Sequence, residues 1–201
     1  GDYLGLYVNT EAVDKQFLKK QFDEKDGVLI KCDPIQVFCG NNTANGNPDL
    51  KWLGADSANY YNSYDVKSDH GWGELMELIE KIHFDFENLG EILNIDRVLW
   101  AFAVNSAILN LDTYNGYYVH NYYLYRTEDG LFQMIPWDFD NSFAGAILGW
   151  DYFDPMAVYN YDTYGNQYAP NERPLLEKLL DDPYYKKLYN AHLKTVYKES
   201  L

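Results

Sequence analysis

Positive charge is what this chain has least of: 16 Lys and Arg stand against 31 Asp and Glu, a formal net charge of −15 over 201 residues. Neutralising a nucleic-acid backbone needs clustered Lys and Arg, so a nucleic-acid partner is excluded. A cation or a basic protein is the partner such a charge attracts, although excess acid also serves simply to keep a tyrosine-rich protein in solution. No apolar run of about 18 residues occurs, so no segment is built as a membrane-spanning helix.

Cysteine is scarce as well. Cys32 and Cys39 flank Pro34 and admit a disulfide, two buried thiols or half of a metal site; two sulfurs alone do not make a zinc site. Spacing in sequence does not fix the Cα approach that a disulfide requires. A secretory leader is also missing, and the opening GDYLGLYVNTE reads as the middle of a strand, so the sequence is expected to be N-terminally incomplete.

What is present is apolar and aromatic. A hydrophobic share of 47% at this length supports one substantial core, as one domain or two lobes. Twenty Tyr, five Trp and the sequon-like Asn41-Asn42-Thr43 match the composition of a secreted or surface protein.

The periodicity predicts an α+β chain. Tyr3 to Val8 reads as a strand, followed by a helix over Ala12 to Phe22 capped by Thr10, and Val28 to Lys31 reads as a second strand. Residues 40–68 are rich in turn formers and read as long loops. A helix over Glu74 to Ile82 follows, then a central buried helix over Asn94 to Asn110, apolar nearly all round. Asn121 to Arg126 and Leu131 to Ile135 form a hairpin about Glu128-Asp129-Gly130. Leu175 to Leu180 and Tyr184 to Tyr197 complete the chain as packing helices, separated by Asp181-Asp182-Pro183. Arg173 just before them suits a pair with a site carboxylate or an ordinary loop ion pair.

The hairpin carries the chemistry. Asp112 precedes its first strand, Asn121 opens that strand, and Asp138-Phe139-Asp140 follows the second, so antiparallel pairing makes neighbours of Asn121 and Asp138. Hard oxygen donors in that number suit Mg²⁺, which keeps several waters and bridges substrate phosphates. A carboxylate free of metal duty can orient or deprotonate a hydroxyl nucleophile. Taken singly, each of these residues also suits an Asx turn or a helix cap. His120 beside a strand of tyrosines reads first as a packed or hydrogen-bonded residue.

The order of helix, Asp, Asn, two strands and Asp-Phe-Asp repeats the plan of protein kinases. Tyr3-Leu4-Gly5-Leu6-Tyr7 with Glu11, Val28-Leu29-Ile30-Lys31, Asp112 with His120-Asn121-Tyr122-Tyr123-Leu124-Tyr125, and Pro136-Trp137-Asp138-Phe139-Asp140-Asn141-Ser142-Phe143 together resemble the spore coat protein H family, the CotH kinases. The resemblance covers most of the chain and rests chiefly on the last two motifs.

What the resemblance implies is a protein-kinase-like fold: a mostly helical C-lobe over 71–201 with a catalytic hairpin, and a partial N-lobe with hinge and loops over 1–70. It implies transfer of the γ-phosphoryl group of ATP to serine hydroxyls of bacterial spore coat or surface proteins. Asp112 then matches the catalytic aspartate, Asn121 and Asp138 match metal ligands, and Asp140 is a second acidic candidate. Two departures stand out: nine positions separate Asp112 from Asn121, against five in the ordinary kinase pattern, and Asp140 replaces the glycine of DFG. Glu11 also precedes Lys31, the reverse of the kinase order of strand Lys and helix Glu. On this reading the phosphate-gripping strand lies upstream of Gly1, Glu11 sits near the adenine side and Lys31 is a nucleotide contact. Two other classes fit parts of the sequence: a carbohydrate-active or carbohydrate-binding protein, with aromatic platforms and paired carboxylates, and a non-catalytic coat or surface protein on a kinase-like scaffold.

Overall fold

The computed structural model describes residues 5, 10–34, 46–110, 112–116, 119–140, 142–143 and 173–200. In chain order these form α1 (Lys15–Phe22), β1 (Val28–Cys32), a 3₁₀ turn (Ser57–Tyr60), β2 (Asp65–Val66), α2 (Trp72–Phe84), a second 3₁₀ turn (Phe86–Glu91), α3 (Ile95–Ala107), β3 (Tyr122–Arg126), β4 (Phe132–Pro136), α4 (Pro174–Asp181) and α5 (Pro183–Glu199). The α+β class expected from periodicity is the class observed. The strand expected over residues 3–8 lies almost wholly outside the described residues. So does Cys39, and with it any bond to Cys32, which is a buried thiol.

All described strands join one antiparallel sheet in the order β2-β1-β3-β4. Period-two alternation gives that sheet two apolar faces. Val28, Ile30, Cys32, Tyr122, Leu124, Phe132 and Met134 enter the main core with α2, α3, α4 and α5. Leu29, Tyr123, Tyr125 and Ile135 face the other way, where Leu18 of α1 covers them together with Phe17, Phe22 and Trp137. Lys31 shares this second parity and lies opposite Tyr123. Close approach of β1 to β3 needs Gly27: a Cβ there would stand 2.2 Å from the Arg126 carbonyl oxygen.

α3 is the buried strut that the sequence predicts. Leu99, Phe102 and Ala103 are fully buried, and burying each of the two large side chains contributes about 1.5–3 kcal/mol. Its outer face meets α5, where the His192 ring stacks on Trp100 at a centroid distance of 4.0 Å and hydrogen-bonds Asp96 at 2.8 Å.

Three boundaries differ from expectation, each for a local reason. α1 begins at Lys15 because Asp14, not Thr10, caps it: the carboxylate accepts from the Gln16 and Phe17 amides at 2.8 and 3.0 Å. α3 stops at Ala107, short of Asn110, as Leu109 turns left-handed (φ 51°) and the Asn110 amide returns to the Asn105 carbonyl at 2.8 Å. The stretch expected to be only loop contains β2 and a 3₁₀ turn, because buried Tyr60 and Tyr64 anchor it: their hydroxyls accept from the Leu53 and Leu50 amides at 2.7 and 2.9 Å.

Candidate active site

Where α3 ends, the chain must turn inside the protein, and every backbone polar group it buries needs a partner. Asparagines supply them. Asn105 donates to Thr113 Oγ1 at 3.1 Å and to Asn115 Oδ1 at 3.2 Å, while its own Oδ1 accepts from Asn110 at 3.3 Å. Asn115 in turn donates to the Phe102 carbonyl and to Ser106 Oγ, which also accepts from Tyr189 of α5 at 2.9 Å. From outside, the Arg173 guanidinium donates to the carbonyls of Tyr114 and Gly116 at 3.0 and 3.2 Å. The loop that carries Asp112 is thus held by side chains from α3, α5 and the start of α4.

Asp112 stands at the centre of this loop. Its amide donates to Asn110 Oδ1 at 3.1 Å. Its carboxylate, with the side chain 13% exposed, meets two side chains: His120 Nε2 lies 2.7 Å from Oδ1, and Asn121 Nδ2 donates to Oδ2 at 3.1 Å. The nine-residue excursion from Asp112 therefore folds back and returns two consecutive side chains to the aspartate where it began. Asn121 adopts a left-handed backbone (φ 57°) just before β3, and its side-chain amide meets Asp112 there.

The return strand brings the second acidic segment to the same place. Tyr122 pairs with Pro136, and one step further the Trp137 amide donates to the Asn121 carbonyl at 3.0 Å. Asp138 follows immediately, itself left-handed (φ 53°), and the stretch comes back to the end of α3 where the Phe143 amide donates to the Ile108 carbonyl at 2.8 Å. Asp138, Phe139 and Asp140 are exposed on the span between these two anchors. Asn121 and Asp138 are thus backbone neighbours, as the antiparallel argument anticipates.

Of the two nucleotide candidates, Lys31 is on the sheet and Glu11 is not. Lys31 lies toward the Asn121 end of β1, in a half-buried pair with Asp33 at 2.5 Å. Burial works to lower the pKa of its amine, but the hydrogen bond and charge of Asp33, with Tyr123 and Asp65, raise it overall. Glu11 is paired with Lys20 of α1 at 3.1 Å on the exposed side.

Among the described residues no group of three or more His, Cys, Asp and Glu could enclose a metal ion. The donors present suit a different kind of site. With Asn121 Nδ2 committed to Asp112, its amide oxygen is the atom left for a hard cation, and Asp138 is the adjacent exposed carboxylate. One amide and one or two carboxylates fit Mg²⁺, which completes its octahedron with water and phosphate oxygens.

The sequence matches the family model described as CotH kinase protein over residues 1–201. The chain belongs to the CotH kinase family. A comparison with curated proteins returns no match. In this CotH-family chain the site rests on more residues than the motifs name. His120, a residue of the second motif that the sequence reads as packed or hydrogen-bonded, lies against the aspartate itself. Arg173 grips the CotH loop by its backbone carbonyls, and Asn105, Asn110 and Asn115 hold it from within. For these three asparagines the signal available in the sequence is their concentration around the end of a helix that the apolar pattern requires to be buried.

Proposed function

We propose that this CotH-family protein is a Mg²⁺-dependent kinase that transfers the ATP γ-phosphoryl group to serine hydroxyls of a basic protein of the bacterial spore coat or cell surface. The observation that carries the reading is the Asp112 carboxylate hydrogen-bonded to Asn121, with Asp138 one residue past the backbone bond that ties Trp137 to Asn121.

In the reaction the serine oxygen attacks the γ-phosphorus, a P–O bond forms, and the bond to the ADP oxygen breaks. Asp112 orients the hydroxyl and accepts its proton as charge passes to the phosphoryl group. Asn121 Oδ1 and Asp138 would hold the magnesium, with Asp140 as a further carboxylate; the bound ion neutralises phosphate charge. Lys31 is a nucleotide contact, and Glu11 marks the adenine side. The net charge of −15 favours approach of a basic substrate. Spore coat and surface location are carried by the family resemblance and by the Tyr-rich, Asn-rich composition.

The test is ³²P transfer from ATP to a basic serine-containing protein, using the natural protein beside its D112N and D138N variants. Both changes should lower transfer by about 100-fold or more, as loss of a positioned base or metal ligand does. Transfer that survives both substitutions would sink the mechanism.

A further inference from the structure

We propose that Tyr114 and Tyr122 are positioning residues that set Asp112 and Asn121 from beneath, by a shared grip on the backbone carbonyls of Pro48 and Asp49. The inference deepens the kinase reading and rests on it. Tyr114 stands two residues after Asp112, and Tyr122 follows Asn121 directly. Both side chains are buried in the core. Their hydroxyls end on neighbouring carbonyls: Tyr122 donates to Pro48, and Tyr114 donates to Asp49 at 3.2 Å. The two rings meet edge to face at a centroid distance of 5.5 Å. The segments that carry Asp112 and Asn121 are thus joined twice, once in the site by their own hydrogen bond and once below it by this pair of rings.

Packing alone does not call for these hydroxyls. A phenylalanine fills the same space, and a hydroxyl taken out of water must find a partner. The Tyr114 hydroxyl finds two, since it also accepts from the Leu175 amide at 3.1 Å and so ties the loop to α4. Its ring stacks on Phe102 of α3 at a centroid distance of 5.6 Å.

What the hydroxyls grip is itself fixed. Leu50, the next residue, is fully buried with a left-handed backbone (φ 61°), a conformation that a leucine keeps only where its surroundings impose it. The Tyr64 hydroxyl accepts from its amide at 2.9 Å, and His83 Nε2 lies 2.9 Å from its carbonyl oxygen. Residues 48–50 therefore form a floor held from several sides. Consecutive Cα atoms are about 3.8 Å apart, so a shift of Tyr122 is passed on to Asn121. The two tyrosines serve different neighbours: Tyr122 acts on the amide assigned to the cation, and Tyr114 acts on the loop of the base.

The experiment compares Y114F, Y122F and Y64F with D112N and D138N in the natural protein. It reads kcat, the melting temperature and, by electron paramagnetic resonance, the affinity for Mn²⁺ in the presence of ADP. Y64F is the control, because it removes a hydroxyl from the same floor on a residue that neighbours neither Asp112 nor Asn121 in the chain. Y114F should lose about 10-fold in kcat with Mn²⁺ affinity within about twofold of the parent, and Y122F should bind Mn²⁺ about 10-fold more weakly. Y64F should keep both properties while its melting temperature falls about as far as theirs. Parent-like kcat in Y114F, parent-like Mn²⁺ affinity in Y122F, or a Y64F protein as impaired as either overturns the proposal. If D112N keeps its activity or D138N keeps its Mn²⁺ affinity, the kinase reading beneath fails; if both are impaired while Y114F and Y122F match the parent, only the positioning role fails. Should a phenylalanine variant not fold, the unsubstituted protein decides: Mg²⁺ with ADP should shift the hydroxyl proton resonances of Tyr114 and Tyr122 and leave that of Tyr64. Equal shifts in all three, or none, overturn the proposal.

Discussion

Asp49 lies beneath the Asp112 loop, where its carbonyl accepts from the Tyr114 hydroxyl at 3.2 Å and its carboxylate pairs with Lys51 at 3.2 Å. The side chain is only 8% exposed, and burial raises its pKa above the ordinary 3.8 in spite of Lys51 and Arg173, which pull it down. The sign follows from linkage: a carboxyl raised on folding contributes stability that is full below 3.8 and lost as pH rises through the higher folded value. D49N should therefore flatten the stability profile as pH rises above 3.8 and leave the protein at least as stable at pH 7. Melting curves across that range check it, and an unchanged slope refutes it. At this scale the sequence is uneven in what it reveals. That Asn121 meets Asp112 and that the Asp138 segment returns beside Asn121 is legible, because a local hairpin leaves few ways to arrange them. The contact of His120 with Asp112 is not, because one imidazole suits a core, a metal or a carboxylate equally well until its neighbours are known. Thr10 misleads as a cap for a simpler reason, since Asp14 nearer the helix offers a charged acceptor to the same amides.

The element that organises the site is the C-terminal end of α3, and its stability is polar. Asn105, Ser106, Asn110, Thr113 and Asn115 are all buried, a grouping affordable only because they satisfy one another. Removing Asn105 takes one partner each from Thr113 Oγ1, Asn115 Oδ1 and Asn110 Nδ2, at about 1–3 kcal/mol for each group that does not find another. N105A should therefore lower the unfolding free energy by about 3 kcal/mol, read from urea denaturation, and a loss below about 1 kcal/mol would mean the neighbours re-pair. The helix itself was legible from its apolar periodicity; its early stop was not. Asparagine is read from sequence as a turn former, and hydrogen bonds that span five to ten positions leave no period for a pattern to detect.

Over the whole molecule, the α+β class and the β3–β4 hairpin could be read directly, because both strands and their turn lie within fifteen residues of one another. Placement of β1 between β2 and β3 could not, since its apolar run states that it is a strand without stating its neighbours. That central pairing has a kinetic consequence. Gly27 and Tyr125, bonded across it, are 98 positions apart in the chain, so β1 can dock only after a long loop has closed, whereas a hairpin forms locally within about 1–10 μs. Strand order in space is then a record of order in time: in refolding followed by pulsed hydrogen exchange, amides shared by β3 and β4 should gain protection before those shared by β1 and β3, and simultaneous protection would contradict it. A nascent chain would thus pass through a state in which Asn121 and Asp138 are already side by side while the sheet that carries Lys31 is still unmade.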